Sequence, residues 1–359
     1  MRILHILNHT RRLNGHVHAA VDLACAQVRL GHEVYVASEG GDFDSLLKAN
    51  GIGTFVVNHR RRIPSLVKAL IRLNAHVRDL EFDIVHAHMM TSAVISYPIC
   101  KVRGVPLITT VHNEFERSAT LMGLGTRVIA VSDVVGASMK RRGVSASKLK
   151  VVLNGTIGSS RSEGRSEEPK PLRSPSILFV GGLHPRKGLP DLFHAFEAIH
   201  GAFPAAHLYV VGDGPYRETY KEMVATLECA EAVTFIGSVS DPYPYMVAAD
   251  VFVLPSHADP APLVLSEARE ARCAVIGSAV DGIPQLLEHG EAGLLVPPRD
   301  PAALAGMLRH LLESPERIAS WKQKSQLRID RLTIERVAKE TIEVYRSAMP
   351  HPKAVALAT

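Results

Sequence analysis

The chain has 359 residues, 46% hydrophobic and 21% charged, which excludes a disordered protein and leaves room for about two domains. No apolar run reaches the ~18 residues of a membrane span, and MRILHILNH enters a strand-like run without a cleavage site, so no secretory signal is expected. The net charge of +5 is uneven: residues 1–155 hold 20 Lys and Arg against 11 Asp and Glu, so the first half is expected to meet something anionic.

In chain order the pattern is strand, turn, helix, repeated. Strands are expected at Arg2–Leu7, Glu33–Ala37, Gly53–Val57, Ile84–Ala87, Leu107–Val111, Arg127–Val131 and Lys150–Leu153. A second series follows at Ile177–Val180, Leu208–Val211, Val233–Ile236, Val251–Leu254, Ala274–Ile276 and Leu294–Val296. Many of these runs are continuously apolar, as strands buried on both faces of a parallel sheet should be. Helical patterns between them predict α/β folding in doubly wound sheets. Cys25, Cys100, Cys229 and Cys273 are too widely spaced for a CxxC motif and are expected to be reduced thiols in a cytoplasmic setting.

The first strand runs into His9-Thr10-Arg11-Arg12-Leu13-Asn14-Gly15-His16. Asn14 is the expected N-cap of a helix from Gly15 to Leu30, with Gly31 just past its end. A glycine at a helix N-terminus lets an anionic ligand approach the backbone. Further on, Arg60, Arg61, Arg62, Lys68, Arg72 and Arg78 are interleaved with Ile63, Leu66, Val67, Leu70, Ile71 and Leu73. From Ser65 the apolar spacing is helical, with Pro64 near the start. Such a helix either lies on an anionic membrane or faces a domain core with its arginines solvated.

Residues 157–176, IGSSRSEGRSEEPKPLRSPS, interrupt the pattern with Ser, Pro, Gly and charge and are read as a linker. The organisation expected is therefore a first domain over 1–156, a linker over 157–176 and a second domain over 177–333. A closing helix at 334–349 and a frayed tail at 350–359 complete it.

The second series opens with VGGLHPRKG. Gly181-Gly182, His184, Arg186, Lys187 and Gly188 at the carboxyl end of a strand make a phosphate seat, or else a solvated basic turn. The Lys-Ser/Thr pair of nucleotide hydrolases is absent, as is GxGxxG. Gly212 and Gly214 then flank Asp213 after a strand. Between Asp250 and Pro297, strand Val251–Leu254 is ended by Pro255 and Ser256. A loop carries Asp259, and a helix from Leu263 to Arg272 carries Glu267 eight residues later. In open α/β sheets the ligand crevice lies at such strand ends, where two acids can accept hydrogen bonds from sugar and ribose hydroxyls. The sequence displays no cluster of metal ligands.

Together, VGGLHPRKG, VVGDGP, FIG, ADVFVLPS, the acid-x7-Glu element and DGIPQLLEHGEAGLLVPPRD resemble the donor-binding domain of retaining, GT-B type glycosyltransferases of family 4. The resemblance covers nearly all of 177–345. MRILHI, LGHEVYVAS, FDIVHAH, GVPLITTVHN, VIAVSD and VVLNG are similar, more loosely, to that family's acceptor domain. The resemblance implies two Rossmann-like domains facing a cleft and assigns roles by position. Glu267 would bind the ribose hydroxyls and Asp259 the donor sugar, where the family normally carries the longer Glu. Lys187 would meet the diphosphate. The usual arginine after the strand is Gly182 here, and Arg186 stands near enough to replace its charge. His112 would lie near the transferred sugar. The backbone of Ala261 and Leu263 would line it, while Pro262 between them has no N–H to donate. Gln285 stands where an acid is common.

The activity implied is transfer of a hexose from a nucleoside-diphosphate sugar, a UDP-sugar by family habit, to an acceptor hydroxyl with retention. Neither metal nor other cofactor is required. The acceptor would be a saccharide or lipid-linked, in bacterial surface polysaccharide or glycolipid synthesis. Front-face attack would pass the proton to the leaving phosphate, and domain closure would exclude water. Localisation is expected to be cytoplasmic, with peripheral contact at the inner membrane face if the basic helix binds lipid; no nucleic-acid partner is expected. Two alternatives share the fold: a nucleotide-sugar epimerase, and a binding protein that has lost transfer through the departures at Asp259, Gly182 and Pro262.

Overall fold

The computed structural model describes residues 1–12, 14–58 and 63–349. The chain divides into two compact units. The first contains β1 (Arg2–Ile6), α1 (Gly15–Arg29), β2 (Glu33–Ser38), α2 (Asp44–Ala49), β3 (Gly53–Val56), α3 (Ile63–Asp79), β4 (Ile84–Ala87), α4 (Met90–Arg103), β5 (Leu107–Val111) and β6 (Arg127–Ala130). Helix α5 (Asp133–Arg141) and strand β7 (Leu149–Val151) follow. The seven strands pair in the order β3-β2-β1-β4-β5-β6-β7, every pair parallel, with Ile3 between Val34 and Ile84. Strands such as IVHA and LITTV are buried at every position, as sandwiching between helix layers demands. After β3 the chain returns to the other side of β1, so the order of the sheet reverses between β1 and β4.

In helix α3 the apolar residues divide between two faces. Ala69, Leu73 and Val77, spaced four apart, are buried. Val67, Leu70 and Ile71 are exposed beside Lys68, Arg72 and Arg78. Arg60, Arg61 and Arg62 lie outside the described residues, as does the tail 350–359 expected to fray.

The second unit contains β8 (Ser176–Val180), α6 (Leu189–His200), β9 (His207–Val211), α7 (Arg217–Ala225), β10 (Val233–Gly237), α8 (Tyr243–Ala248), β11 (Val251–Leu254) and α9 (Leu263–Glu270). It continues with β12 (Ala274–Ser278), α10 (Ile283–Leu286), β13 (Leu294–Val296), α11 (Pro301–Leu312) and α12 (Pro315–Lys324). Its parallel sheet runs β10-β9-β8-β11-β12-β13, reversing between β8 and β11. All the expected strands form, with ends displaced by at most two residues.

Two expectations are corrected. The segment 157–176 is not a free linker: the second unit, which also takes in Ser132–Val135, includes all of it within Leu153–Ile334. Ile157 forms a bridge with Thr333, and Ser159 and Ser160 are buried. The Arg165 guanidinium lies 3.4 Å from the Tyr243 ring centre and pairs with Glu270 at 2.9 Å. Composition alone missed this because the segment docks through polar and cation–π contacts rather than apolar periodicity. The closing helix α13 (Ile334–Ala348) belongs, from Glu335, to the first unit, where Tyr345 is fully buried.

Candidate active site

In the second unit the reversal between β8 and β11 is where a ligand crevice is expected. Strand β8 runs into Gly181-Gly182 and a 3-10 turn, Pro185–Lys187, which ends at Gly188 with φ of 68°. A Cβ at Gly188 would stand 1.9 Å from the Pro255 carbonyl oxygen, so only glycine lets this turn reach the end of β11. The junction is closed by the His257 N–H donating to the Arg186 carbonyl at 2.7 Å, and by His257 Nε2 against Asp191 Oδ2 at 2.7 Å.

That approach brings together two residues singled out from sequence. Lys187 Nζ lies 2.5 Å from Asp259 Oδ2, with both side chains nearly enclosed, at 12% and 8% exposure. The Ser256 hydroxyl donates to the same oxygen at 3.3 Å. The Asp259 N–H donates to the Asp281 carboxylate at 2.7 Å. Burial, reinforced by the Asp259 charge, raises the Asp281 carboxyl above its usual range. The ammonium thus sits against an acid whose backbone is itself held by Asp281 at the strand ends. Gly212, with φ of 131°, packs so closely on Gly181 that a Cβ would fall 2.0 Å from its carbonyl oxygen. A Cβ at Gly214 would fall 2.6 Å from the Leu183 carbonyl oxygen, and the Gly214 N–H donates to the Asp213 carboxylate at 2.7 Å.

The remaining candidates are distributed around this pair. Arg186 is exposed, with a guanidinium nitrogen 3.4 Å from the Ala258 carbonyl oxygen. Gly182 is exposed, and a Cβ there meets His184 only at 3.6 Å, an ordinary contact. Ala261 and Leu263 are buried at the start of α9. Glu267 does not join the Lys187–Asp259 pair: it lies one helix turn or more into α9, 3.5 Å from Arg161. Arg161, His257, Asp191 and Asp281 were not singled out from sequence. The DG step at Asp281-Gly282 after an apolar strand was the available signal for the last of them; Arg161 was hidden in the supposed linker.

In the first unit, Gly15 opens α1, where a Cβ would meet nothing within 4 Å. The residue before it, Asn14, takes the N-cap position without a side-chain capping bond, while Gly31 is left-handed past the C-cap as expected. His112 follows β5. Its Nε2 is 3.1 Å from His88 Nδ1, and its Nδ1 is shielded and has no hydrogen-bond partner among the described residues. Burial, with His16 nearby, lowers its pKa below the ordinary imidazole range.

Among the described residues one group of side chains has the spacing of metal ligands, which chain order does not display. His5 on β1 and His86 and His88 at the end of β4 place one ring nitrogen each within 4.8 Å of one another, all three buried. The signal was the HAH alternation, which puts His86 and His88 on one face of a strand, but the partner in MRILHI is 81 residues away.

Comparison with known proteins agrees with this geometry. Residues 160–328 match the model of glycosyl transferases group 1, and residues 13–156 that of glycosyltransferase family 4. The chain is 30% identical to phosphatidyl-myo-inositol mannosyltransferase of Mycobacterium leprae over 68% of its length and 67% of the relative's. It is 26% identical to an uncharacterized glycosyltransferase of Methanocaldococcus jannaschii, covering 91% and 93% of the two chains. The crystal structure of Anabaena HepE in complex with UDP superposes with a TM-score of 0.80 at 21% identity, over 97% and 100% of the chains. Two parallel Rossmann-like units and these likenesses define a GT-B glycosyltransferase fold. The chain belongs to the group 1 glycosyl transferases, family 4.

Proposed function

We propose that the protein transfers a hexosyl group from a nucleoside-diphosphate sugar, a UDP-sugar, to an acceptor hydroxyl with retention of configuration and without a metal ion. The observation that carries this reading is the Lys187–Asp259 pair at the switch point of the second sheet. In the reaction the bond between the anomeric carbon and the donor phosphate oxygen breaks. A bond to the acceptor oxygen forms on the same face, and the acceptor proton passes to the departing diphosphate. Lys187, with Arg186 at the rim, supplies positive charge where that diphosphate gains negative charge; one such preorganised group is worth about 3 kcal/mol. Asp259 accepts from a sugar hydroxyl and Glu267 from the ribose. HepE binds UDP, which supports the choice of nucleotide. The Asp281 carboxyl group accepts from the Asp259 N–H and fixes the Asp259 backbone.

The acceptor is proposed to be a saccharide or a lipid-linked sugar in surface polysaccharide or glycolipid synthesis, with the protein cytoplasmic. Among the described residues no helix is long and apolar enough to cross a membrane. The exposed Val67, Leu70 and Ile71 beside Lys68, Arg72 and Arg78 support peripheral contact with an anionic bilayer. Sedimentation with anionic vesicles at low salt tests this: binding that falls steeply with salt is expected, and protein left in the supernatant directs the search to soluble acceptors.

Incubation with a panel of UDP- and GDP-hexoses, with and without alkyl hexosides as acceptors, tests the activity. Acceptor-dependent release of the nucleoside diphosphate is the expected result. An epimerised donor in the absence of acceptor, or tight binding without turnover, would replace the proposal by one of its two alternatives.

A further inference from the structure

The first unit contains a run of buried histidines that ends at His112, the residue expected near the transferred sugar. His5 is buried in β1, His86 and His88 are buried around the end of β4, and His112 follows β5. The rings are linked edge to edge: His5 Nδ1 to His88 Nε2 at 2.8 Å and His88 Nδ1 to His112 Nε2 at 3.1 Å. At the inner end, His5 Nε2 meets Gln27 Oε1 at 2.7 Å. Gln27 Nε2 donates to the Tyr345 hydroxyl at 3.2 Å, that hydroxyl meets His86 Nδ1 at 2.6 Å, and His86 Nε2 meets Thr110 Oγ1 at 2.7 Å. Gln27 and the Tyr345 ring are fully buried.

The hydrogen-bond rules orient this chain. An amide oxygen can only accept, so His5 must carry its proton on Nε2. A neutral imidazole has one donor and one acceptor nitrogen, so His5 Nδ1 must accept. His88 must then donate through Nε2 and accept through Nδ1. The same rule makes His112 a donor through Nε2 and leaves its Nδ1 with a bare lone pair. On the other branch the Gln27 amide nitrogen donates to Tyr345, whose own proton goes to His86 Nδ1, and His86 Nε2 donates to Thr110. Every link is satisfied. All four rings are held neutral: burial pushes His5 down to about 4 and takes His86, His88 and His112 below their usual range.

We propose that Gln27, acting through His5 and His88, fixes the tautomer of His112, so that His112 Nδ1 is presented as a hydrogen-bond acceptor. Gln27, His5 and His88 are positioning residues in this account. Rotating the Gln27 amide by half a turn would reverse every bond and give His112 an Nδ1–H. That arrangement ends the chain on a buried unpaired N–H, which is rarer in folded proteins than an under-satisfied acceptor. The ligand chemistry selected by a bare Nδ1 is a donor, such as a sugar hydroxyl, and a carboxylate at the same place is repelled. This last step rests on the sugar-transfer reading, whereas the tautomer assignment does not.

A buried zinc ion is the rival explanation for three such histidines. It would require ring lone pairs converging on one centre at about 2.0–2.1 Å. Here His5 Nδ1 and His88 Nε2 face each other across a single proton, and both His86 nitrogens are engaged by Tyr345 and Thr110. The relay therefore accounts for the contacts without an ion.

Long-range proton–nitrogen correlation spectra of the full, nitrogen-15-labelled chain at pH 7.5 read each imidazole tautomer directly, with single His→Gln variants giving the assignments. The expected result is a proton on Nε2 in His5, His86, His88 and His112. Gln27→Met removes both amide groups and should leave His5, His88 and His112 as mixed tautomers. Gln27→Glu restores an obligate acceptor for His5 and should restore a single Nε2–H form of His112. Wild-type His112 protonated on Nδ1, or Gln27→Met spectra unchanged in all three rings, would overturn the proposal. So would stoichiometric Zn²⁺ shifting His5, His86 and His88 together. These spectra need no turnover, so failure to find a sugar donor would leave the tautomer result standing.

Discussion

Lys187 and Asp259 form one nearly enclosed ion pair, and substitution there should separate binding from chemistry. If Lys187 meets the leaving diphosphate as proposed, Lys187→Ala should lower turnover by on the order of 100-fold. A change confined to KM would make Lys187 a binding group only. Gly182 tests the missing arginine from the other side. A Cβ there meets only ordinary contacts, so Gly182→Arg should change stability by no more than about 0.5 kcal/mol. If diphosphate charge is limiting, the variant should also turn over faster in steady-state assays. If Glu267 accepts from the ribose as proposed, Glu267→Ala should abolish transfer while circular dichroism shows the fold intact. Wild-type turnover in that variant would return Glu267 to a structural partner of Arg161. The neutral histidines make a separate prediction. His5 is held at about 4 in the folded chain against an ordinary 6.5, so the unfolded chain binds more protons below that value. Their contribution is complete above about pH 6.5 and is lost as pH falls from there towards 4, by up to about 1.4 kcal/mol per pH unit for each ring that titrates. Urea midpoints at pH 7.5 and 5 should show the decline; equal midpoints would mean that the rings are not held neutral.

At the scale of elements, helix α3 offers the clearest contrast. Leu73 is buried in the core-facing stripe, so Leu73→Ala should cost about 2–5 kcal/mol. Ile71 is 63% exposed, and Ile71→Ala should move the denaturation midpoint by less than about 0.5 kcal/mol. The sequence pattern could not divide these residues, because both lie at helical spacing and only the neighbouring elements decide which face is covered. The strands were legible because their apolar runs are short, continuous and punctuated by Pro, Gly and Ser, as with Val251–Leu254 before Pro255. The Lys187–Asp259 meeting was half legible: each residue stood out within its motif, but their contact depends on Gly188 folding against Pro255. Arg161 and Arg165 were not legible, since a polar segment that docks through Glu267, Glu270 and Tyr243 has the composition of a free linker. The histidine chain was missed for a related reason. Strand alternation put His86 and His88 on one face, while His5 and His112 reach them only through parallel pairing of β1, β4 and β5.

At the scale of the whole molecule, two parallel doubly wound units share one design, a sheet whose order reverses beside its first strand. In the second unit that reversal holds the cation and acid pair, and in the first it holds the end of the histidine chain beside the start of α1. The family assignment fixes the reaction class, and the stereochemistry belongs to the proposal. The most direct measurement is the anomeric configuration of the product formed from an α-linked UDP-hexose and an alkyl hexoside, read by proton coupling constants, with and without EDTA. The account predicts an α-linked product at an EDTA-insensitive rate; a β-linked product, or activity abolished by EDTA and restored by a divalent cation, would contradict it.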